Sequence, residues 1–199
     1  PTNHSRDEIV EILQKSGLWP ALRQKPYSTI ANPQDTPKAI YISAFDSAPL
    51  APDMDYVARE CEECFQKGID VLSKLTEGTI HVNINADYPA SDTFIKAKGI
   101  QINKFTGPHP AGNVGVQINK IDPINKGDII WYTYPQEIIT IGRLFDKGIY
   151  DATKIIALTG SEVKNPKYFK IINGASIKNI VADNVNEGEL RYISGNVLT

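Results

Sequence analysis

The sequence is poor in the residues that build metal and redox sites. Of 199 residues, two are cysteine and three are histidine. Cys61 and Cys64 cannot complete a tetrahedral metal site, because the chain has no second cysteine pair. His4, His81 and His109 are too far apart for the i, i+4 pair of a helical metal motif. No metal site is therefore expected.

Strong charge and long apolar runs are also missing. The net charge is −2, with 21 basic and 23 acidic residues dispersed along the chain, so no footprint for nucleic acid is present. No apolar run approaches the roughly 20 residues of a bilayer-spanning helix, and no positively charged apolar leader opens the chain. We therefore predict no nucleic-acid partner and no membrane span.

The two ends of the sequence indicate a piece of a longer protein. The chain begins at Pro1, contains a single methionine, Met54, and stops at Thr199 just after a strand-like run. Part of the function is accordingly expected to lie in segments outside this sequence.

Cys61 and Cys64 form a CxxC pair on a predicted long helix. Asp53 is expected to cap this helix and Gly78 to end it, with Gly68 as the point where it could bend. A CxxC can be a redox or metal pair. Three nearby glutamates would disfavour a thiolate, however, and both sulfurs lie on the apolar stripe. Buried, unreactive cysteines are the favoured interpretation.

Strands alternate with helices along most of the chain. Ser5 and Glu8 form a capping box for a helix over 5–16. Further helices are predicted from Ser91, over 135–147 and over 176–181. Strands are predicted at 39–45, 79–84, 100–105, 128–134 and 154–159, the second of them half exposed. This alternation favours an α/β fold with a doubly wound, Rossmann-like, largely parallel sheet over 1–160.

The pattern changes after Gly160. The sequence predicts a β-α-β unit here, with strands at 168–172 and 190–197 and a helix at 176–181. We therefore place a domain boundary near Gly160, with a second module over 161–199.

Residues 103–116 form an unusually specific loop between strand-like runs. Its glycines can adopt positive φ or allow another backbone to approach, and its prolines stiffen the path. These residues are Gly107, Gly112, Gly115, Pro108 and Pro110. His109 lies between the two prolines and either serves a site or hydrogen-bonds its own turn.

Four segments together resemble a known family. Segment 103–116 and the downstream run 131–145 are similar to the A subunits of the Na+-translocating NADH:quinone oxidoreductases, the NqrA family. Segments 16–28 and 193–198 agree with the same family. The resemblance spans nearly all of the chain and implies an internal fragment of a protein of this family.

The resemblance implies a fold and a lost cofactor. The domain is similar to the flavin-binding subunit of respiratory complex I, followed by part of a β-grasp (SLBB) module. No GxGxxG or GxxxxGK[ST] loop is present, and the corresponding loops appear at 16–28 and 44–50. The first has one glycine. The implied state is a flavin domain that kept its fold without its flavin.

Residues around the first of these loops suggest a quinone contact instead. A planar, uncharged head group with carbonyl acceptors suits a mixture of flat apolar side chains and donors. We predict contacts from Trp19, Arg23, Pro26, Tyr27 and His109. The alternative is that Leu18 and Trp19 fill the core while Arg23 stays solvated. Likewise, Trp131, Tyr132 and Tyr134 are expected to pack in the core.

No catalytic constellation emerges, since Asp46, Asp53, Glu137 and Asp146 form no acid–base pair. The leading hypothesis is a structural or quinone-adjacent subunit of a sodium-pumping complex, peripheral on the cytoplasmic side of the bacterial inner membrane. The resemblance implies no cofactor in this chain other than ubiquinone as a ligand. It places FMN, FAD, Fe–S clusters and NADH in the partner subunits of the Nqr complex. It also implies contact with the quinone-associated membrane protein of that complex, its B subunit.

Three other functions remain open. The chain could be a flavin- or NADH-binding dehydrogenase domain, or the C subunit of the Rnf electron-transport complex, whose Fe–S cysteines are not found here. It could also be a β-grasp module for an unrelated small molecule.

Overall fold

The computed structural model describes residues 3–196 and 198. The chain divides into two compact units. One comprises the chain up to Ser47 together with Asp53–Asp151, and the other comprises Ala48–Pro52 and the chain from Ala152 onward. Across the described residues, every helix is too short or too polar to span a bilayer.

The first unit is built on a six-stranded sheet. Its strands are β1 Arg23–Lys25, β2 Thr29–Ile30, β3 Ala39–Ser43, β4 Thr79–Asn85, β5 Gln101–Phe105 and β6 Ile130–Thr133. Their order in the sheet is β2-β1-β6-β3-β4-β5. Strands β6, β3, β4 and β5 are parallel, and the β1–β2 hairpin pairs antiparallel with β6. This arrangement confirms the predicted Rossmann-like class.

Helices cover both faces of the sheet. The helices of this unit are α1 Arg6–Lys15, α2 Met54–Ala58, α3 Glu62–Leu72, α4 Asp92–Ile95, α5 Val114–Ile121 and α6 Pro135–Lys147. A larger core joins α1, α3 and α6 to one face, where Ile42, Val82 and Trp131 point. A smaller core joins α5 to the other face, around Tyr41 and Tyr132.

Local capping fixes the ends of the predicted helices. At α1, the Ser5 hydroxyl accepts from Glu8 N–H and the Glu8 carboxylate accepts from Ser5 N–H, which completes the capping box. Ser91 caps α4. Gly148 ends α6 with a φ of 69°, the left-handed conformation that suits glycine. These predictions are confirmed.

The long helix expected after Asp53 is instead two helices. Asp53 caps α2 as predicted, but the chain breaks between Ala58 and Glu62, where Glu60 takes a φ of 59°. The expected bend at Gly68 is also wrong. Gly68 lies within α3, where a Cβ would be 2.3 Å from the Ile138 carbonyl oxygen, so it serves close packing against α6.

Two further predictions of local structure are corrected. The segment after the Gly/Pro loop contains helix α5, which the sequence pattern had not indicated. Strand β4 is buried on both faces rather than half exposed. His81 is 7% exposed and Asn83 is 0% exposed, because Asn83 bonds to Gln117 of α5 and His81 stacks on Tyr41.

The second unit contains β7 Thr153–Leu158, β8 Lys167–Ile172 and α7 Ile177–Val181. The strand predicted at 154–159 forms here, but it pairs antiparallel with β8 in a separate two-stranded sheet instead of completing the main sheet. Residues 190–196 form no strand, and Val197, the end of that prediction, lies outside the described residues.

Candidate functional site

The strand order reverses between β3 and β6. The crossover from β3 leads to β4 on one side, while β6 lies on the other side of β3. In open α/β sheets, ligands bind at the carboxyl ends of the strands beside such a switch point. The segments that follow β3 and β6 are therefore the first place to look for a site.

Gly112 of the Gly/Pro loop is fastened to the end of β3 by two serines. The Ser43 hydroxyl donates to the Gly112 carbonyl oxygen at 3.0 Å, and Gly112 N–H donates to Ser47 Oγ at 2.7 Å. A Cβ on residue 112 would lie 2.4 Å from the Ser47 nitrogen. Only glycine permits this approach of two backbones.

His109 lies against the same serine. Its Nδ1 is 3.1 Å from Ser47 Oγ, and the side chain is half-buried. The loop is further held from α5, because the Gln117 side chain donates to the Ala111 carbonyl oxygen at 3.3 Å. The loop is thus a fixed part of the switch-point edge, and His109 is held by a neighbouring segment through Ser47.

The β1–β2 hairpin brings a cation close to the start of α5, where Lys25 Nζ would lie 3.8 Å from a Cβ on Gly115. Lys25 Nζ donates to the Ser28 hydroxyl at 3.0 Å and lies 4.9 Å from the centre of the Tyr132 ring. Tyr134, just beyond β6, packs edge-on to Tyr132 at 5.9 Å and is 48% exposed. Burial raises the pKa of the Tyr134 phenol, with the nearby Tyr132 and Asp46 adding to the effect.

A buried polar chain runs beneath α5 toward the Gly/Pro loop. Asn103 donates to Asn83, and Asn83 donates to Gln117, which holds the loop. Asn103 Nδ2 also lies 3.2 Å from His81 Nδ1. Burial lowers the pKa of His81, although the Asp122 carboxylate opposes this shift.

The predicted quinone contacts do not form one cluster. Trp19 is 4% exposed, donates from Nε1 to the Ala31 carbonyl oxygen at 2.7 Å and packs edge-on to Trp131. Arg23 is exposed on β1. These positions match the core alternative for this segment. Trp131 is fully buried as expected, whereas Tyr134 lies half outside the core.

The exposed candidates lie on the hairpin and the loop. Tyr27 is 87% exposed at the tip between β1 and β2, and Pro26 beside it is exposed. His109 occupies the loop at the end of β3. Sequence reasoning missed the roles of Ser43 and Ser47; the glycine-rich loop signalled a close backbone approach, but not its partner.

The helices that follow β3 and β6 do not fit a nucleotide phosphate. The first amides of α2 are taken by the Asp53 carboxylate, and Asp55 adds a second negative charge. Helix α6 begins with Pro135, which has no N–H, and carries Glu137 in its first turn. A phosphate needs free amides and positive charge at such positions. Helix α5 differs, since it starts without a side-chain cap and Gly115 lies close to Lys25.

Neither the cysteines nor the other ligand-type side chains build a metal centre in the part of the chain that the structure describes. No group of three or more His, Cys, Asp and Glu side chains is placed to hold a metal ion there. Cys61 and Cys64 are partly buried against the main core. Burial raises the pKa of the Cys61 thiol, which the Arg143 guanidinium only partly offsets.

These features define a Rossmann-like domain whose switch-point helices lack the usual phosphate donors. The fold is similar to that of a chain of NAD+-reducing NiFe hydrogenase in its air-oxidised state, with a TM-score of 0.66 and 13% identity. The match covers 94% of this chain and 40% of that chain.

The family follows from the sequence comparisons. A family model described as "NqrA second alpha/beta domain" matches residues 4–150, and one described as "NQRA C-terminal domain", of the SLBB type, matches residues 155–199. The chain belongs to the NqrA family.

Named relatives support the same assignment, and both are A subunits of a Na(+)-translocating NADH-quinone reductase. The chain is 35% identical to the one from Pasteurella multocida over 97% of its length, and 40% identical to the one from Neisseria meningitidis serogroup B over 98%. It spans 43% of the length of each of these relatives.

Proposed function

We propose that this chain supplies the quinone-adjacent α/β domain of NqrA in a sodium-translocating NADH:quinone oxidoreductase. It contributes shape and contact rather than a redox centre of its own. The fixed loop at the switch point is the observation that supports this proposal. Ser43 and Ser47 hold Gly112 against the carboxyl end of β3, which is the place where related folds bind cofactors.

This proposal puts quinone contacts at two places, the exposed hairpin tip beside the amino end of β6 and the loop at the carboxyl end of β3. Tyr27 and Pro26 offer a flat apolar surface, and His109 offers a hydrogen bond to a carbonyl oxygen. Arg23, exposed on the adjoining strand, adds a positive charge at the rim. Trp19 takes no direct part, since its indole ring is buried and its N–H is engaged.

The remaining elements of the complex belong to the same proposal. Electrons pass from NADH through FAD, FMN and Fe–S centres in partner subunits, and the B subunit, in the membrane, lies against the quinone contact. NqrA itself is peripheral on the cytoplasmic side of the bacterial inner membrane.

The test is a titration of ubiquinone-1 against tryptophan emission. Tyr27→Ala is expected to raise the Kd about five- to tenfold, because it removes an aromatic contact of about 1–1.5 kcal/mol. Tyr192→Ala is the matched control, since Tyr192 is also exposed, at 53%, but belongs to the second unit. An unsaturable response in the wild type, or equal losses in both variants, contradicts the quinone contact.

The rival function is a flavin- or NADH-binding dehydrogenase domain. The uncapped start of α5 beside Lys25 is the observation that favours it. Absorbance near 450 nm in the purified protein, together with oxidation of NADH, would establish this rival and overturn our proposal.

A further inference from the structure

The hydroxyl of Ser47 joins the loop backbone to the imidazole of His109. We infer that Ser47 is a positioning residue that holds His109 in the tautomer with its proton on Nε2, so that the ring presents a donor to the quinone head group. This inference rests on the proposed function and identifies how the His109 contact is prepared.

The tautomer follows from counting donors and acceptors. A serine hydroxyl has one proton and two lone pairs. Gly112 N–H, at 2.7 Å, occupies one lone pair of Ser47 Oγ. The hydroxyl proton needs an acceptor, and in the described chain the hydrogen-bond partner that remains for it is His109 Nδ1, at 3.1 Å. A neutral ring that accepts at Nδ1 carries its proton on Nε2.

The contact is held from two sides and has little freedom to rearrange. Ser43 fixes the Gly112 carbonyl oxygen while Ser47 accepts from its N–H. Because a Cβ at position 112 would meet the Ser47 nitrogen at 2.4 Å, the two backbones are in direct contact. Ser47 Oγ is thereby kept at one place relative to the ring.

The choice of tautomer decides what His109 can do for a quinone. Both carbonyl oxygens of a quinone only accept hydrogen bonds. Nε2–H can donate to one of them, whereas an unprotonated Nε2 would face it with a lone pair. Within residues 3–196, no protein acceptor is hydrogen-bonded to His109 Nε2. The proton on that nitrogen is therefore available to a ligand.

The first experiment reads the tautomer directly from the 15N spectrum of the imidazole rings in the wild-type protein. It is recorded at pH 8.5, where imidazole groups are generally neutral. The His109 signals are assigned by their loss in His109→Gln. We expect protonated Nε2 and an unprotonated Nδ1 that accepts a hydrogen bond. A proton on Nδ1 overturns the inference.

The second experiment compares the two serines that hold Gly112. Ser47→Ala should let the His109 ring populate both tautomers and should raise the Kd for ubiquinone-1 about three- to tenfold, the effect of one lost hydrogen bond. Ser43→Ala is the matched control, because Ser43 holds the loop without touching His109, and it should leave the tautomer unchanged. Ser47→Thr retains a hydroxyl and should keep the wild-type spectrum.

The outcomes separate this inference from the proposed function. If Ser47→Ala and Ser43→Ala change the tautomer equally, Ser47 acts only by holding the loop. That result would overturn the inference even if ubiquinone-1 binds the wild type. If the wild type does not bind ubiquinone-1, the proposed function is refuted, and so is the idea that His109 donates to a quinone. The 15N spectrum would still test the Ser47–His109 hydrogen bond in that case.

Discussion

Trp19 stabilises the bend between α1 and β1 through one buried hydrogen bond. Its Nε1 donates to the Ala31 carbonyl oxygen at 2.7 Å, and the ring packs on Trp131. Trp19→Phe keeps most of the packing but leaves this carbonyl group unpaired. We expect the free energy of unfolding to fall by about 1–2 kcal/mol, measured by urea denaturation.

The same variant also bears on quinone contact. Because the indole is 4% exposed, Trp19→Phe should leave the affinity for ubiquinone-1 unchanged. Binding is followed by a method that does not depend on this tryptophan, such as calorimetry. A large loss of affinity without a loss of stability would show that Trp19 contacts the quinone after all.

His81 should make the fold sensitive to acid. Burial lowers its pKa in the folded state, so the unfolded chain binds a proton more readily than the folded chain. The stabilising effect of the neutral ring is complete above the unfolded value of about 6.5 and is lost as the pH falls from there toward the folded pKa, by at most about 1.4 kcal/mol per pH unit.

The corresponding variant removes the charge change. In His81→Gln, the slope of unfolding free energy between pH 6.5 and 5 should be smaller than in the wild type, as measured by urea denaturation at each pH. Identical slopes in the two proteins would contradict a role for His81.

Among the secondary-structure elements, the α3–α6 contact depends on two glycines. A Cβ at Gly142 would lie 1.7 Å from the Cys64 carbonyl oxygen, and Gly68 makes the reciprocal approach to Ile138. Gly142→Ala should therefore destabilise the fold by about 3 kcal/mol through overpacking. Thermal and urea denaturation measure the loss.

Gly115 is the matched control for this prediction. It lies in the first turn of α5, where a Cβ would meet only the end of Lys25 at 3.8 Å. Because alanine has a higher helix propensity than glycine, Gly115→Ala should stabilise the protein by about 0.5–1 kcal/mol. If both substitutions had the same sign, the close contact of α3 with α6 would not be the cause.

The elements also show what the sequence could and could not predict. Capping residues and apolar spacing identified α1, β3, α4 and α6, because these signals act within a few residues. Helix α5 was missed because its start directly follows a Gly/Pro loop. Likewise, the stacking of His81 on Tyr41 depends on which strands become neighbours, and no local pattern encodes that.

The candidate site was predictable only in part for the same reason. The glycine and proline content of 103–116 marked a shaped loop, and His109 could be named from its position between prolines. Its partner Ser47 lies 62 residues away in sequence, so only the folded sheet brings the two together. Trp19 is the opposite case, since an aromatic residue beside a proline suits a core bend as well as a ligand contact.

At the scale of the whole molecule, the two sheets should differ in their stability against local unfolding. Strands β3 and β4 lie inside the six-stranded sheet, whereas β7 and β8 form a two-stranded sheet whose described residues are mostly exposed or half-buried. Two-stranded sheets are marginal alone. Hydrogen exchange should therefore be slower in β3 and β4 than in β7 and β8 by two or more orders of magnitude, about 3 kcal/mol of protection. Equal protection would contradict this order.

The close contact of Gly112 with Ser47 also limits where the loop can accept inserted residues. Because Ser43 and Ser47 hold the C=O and N–H groups of Gly112, residues inserted directly before Gly112 would disturb these two hydrogen bonds, whereas residues inserted farther along the loop can bulge outward without moving them. A library of loop lengths screened for folding should accordingly tolerate added residues between Thr106 and Pro108 better than between Pro110 and Gly112.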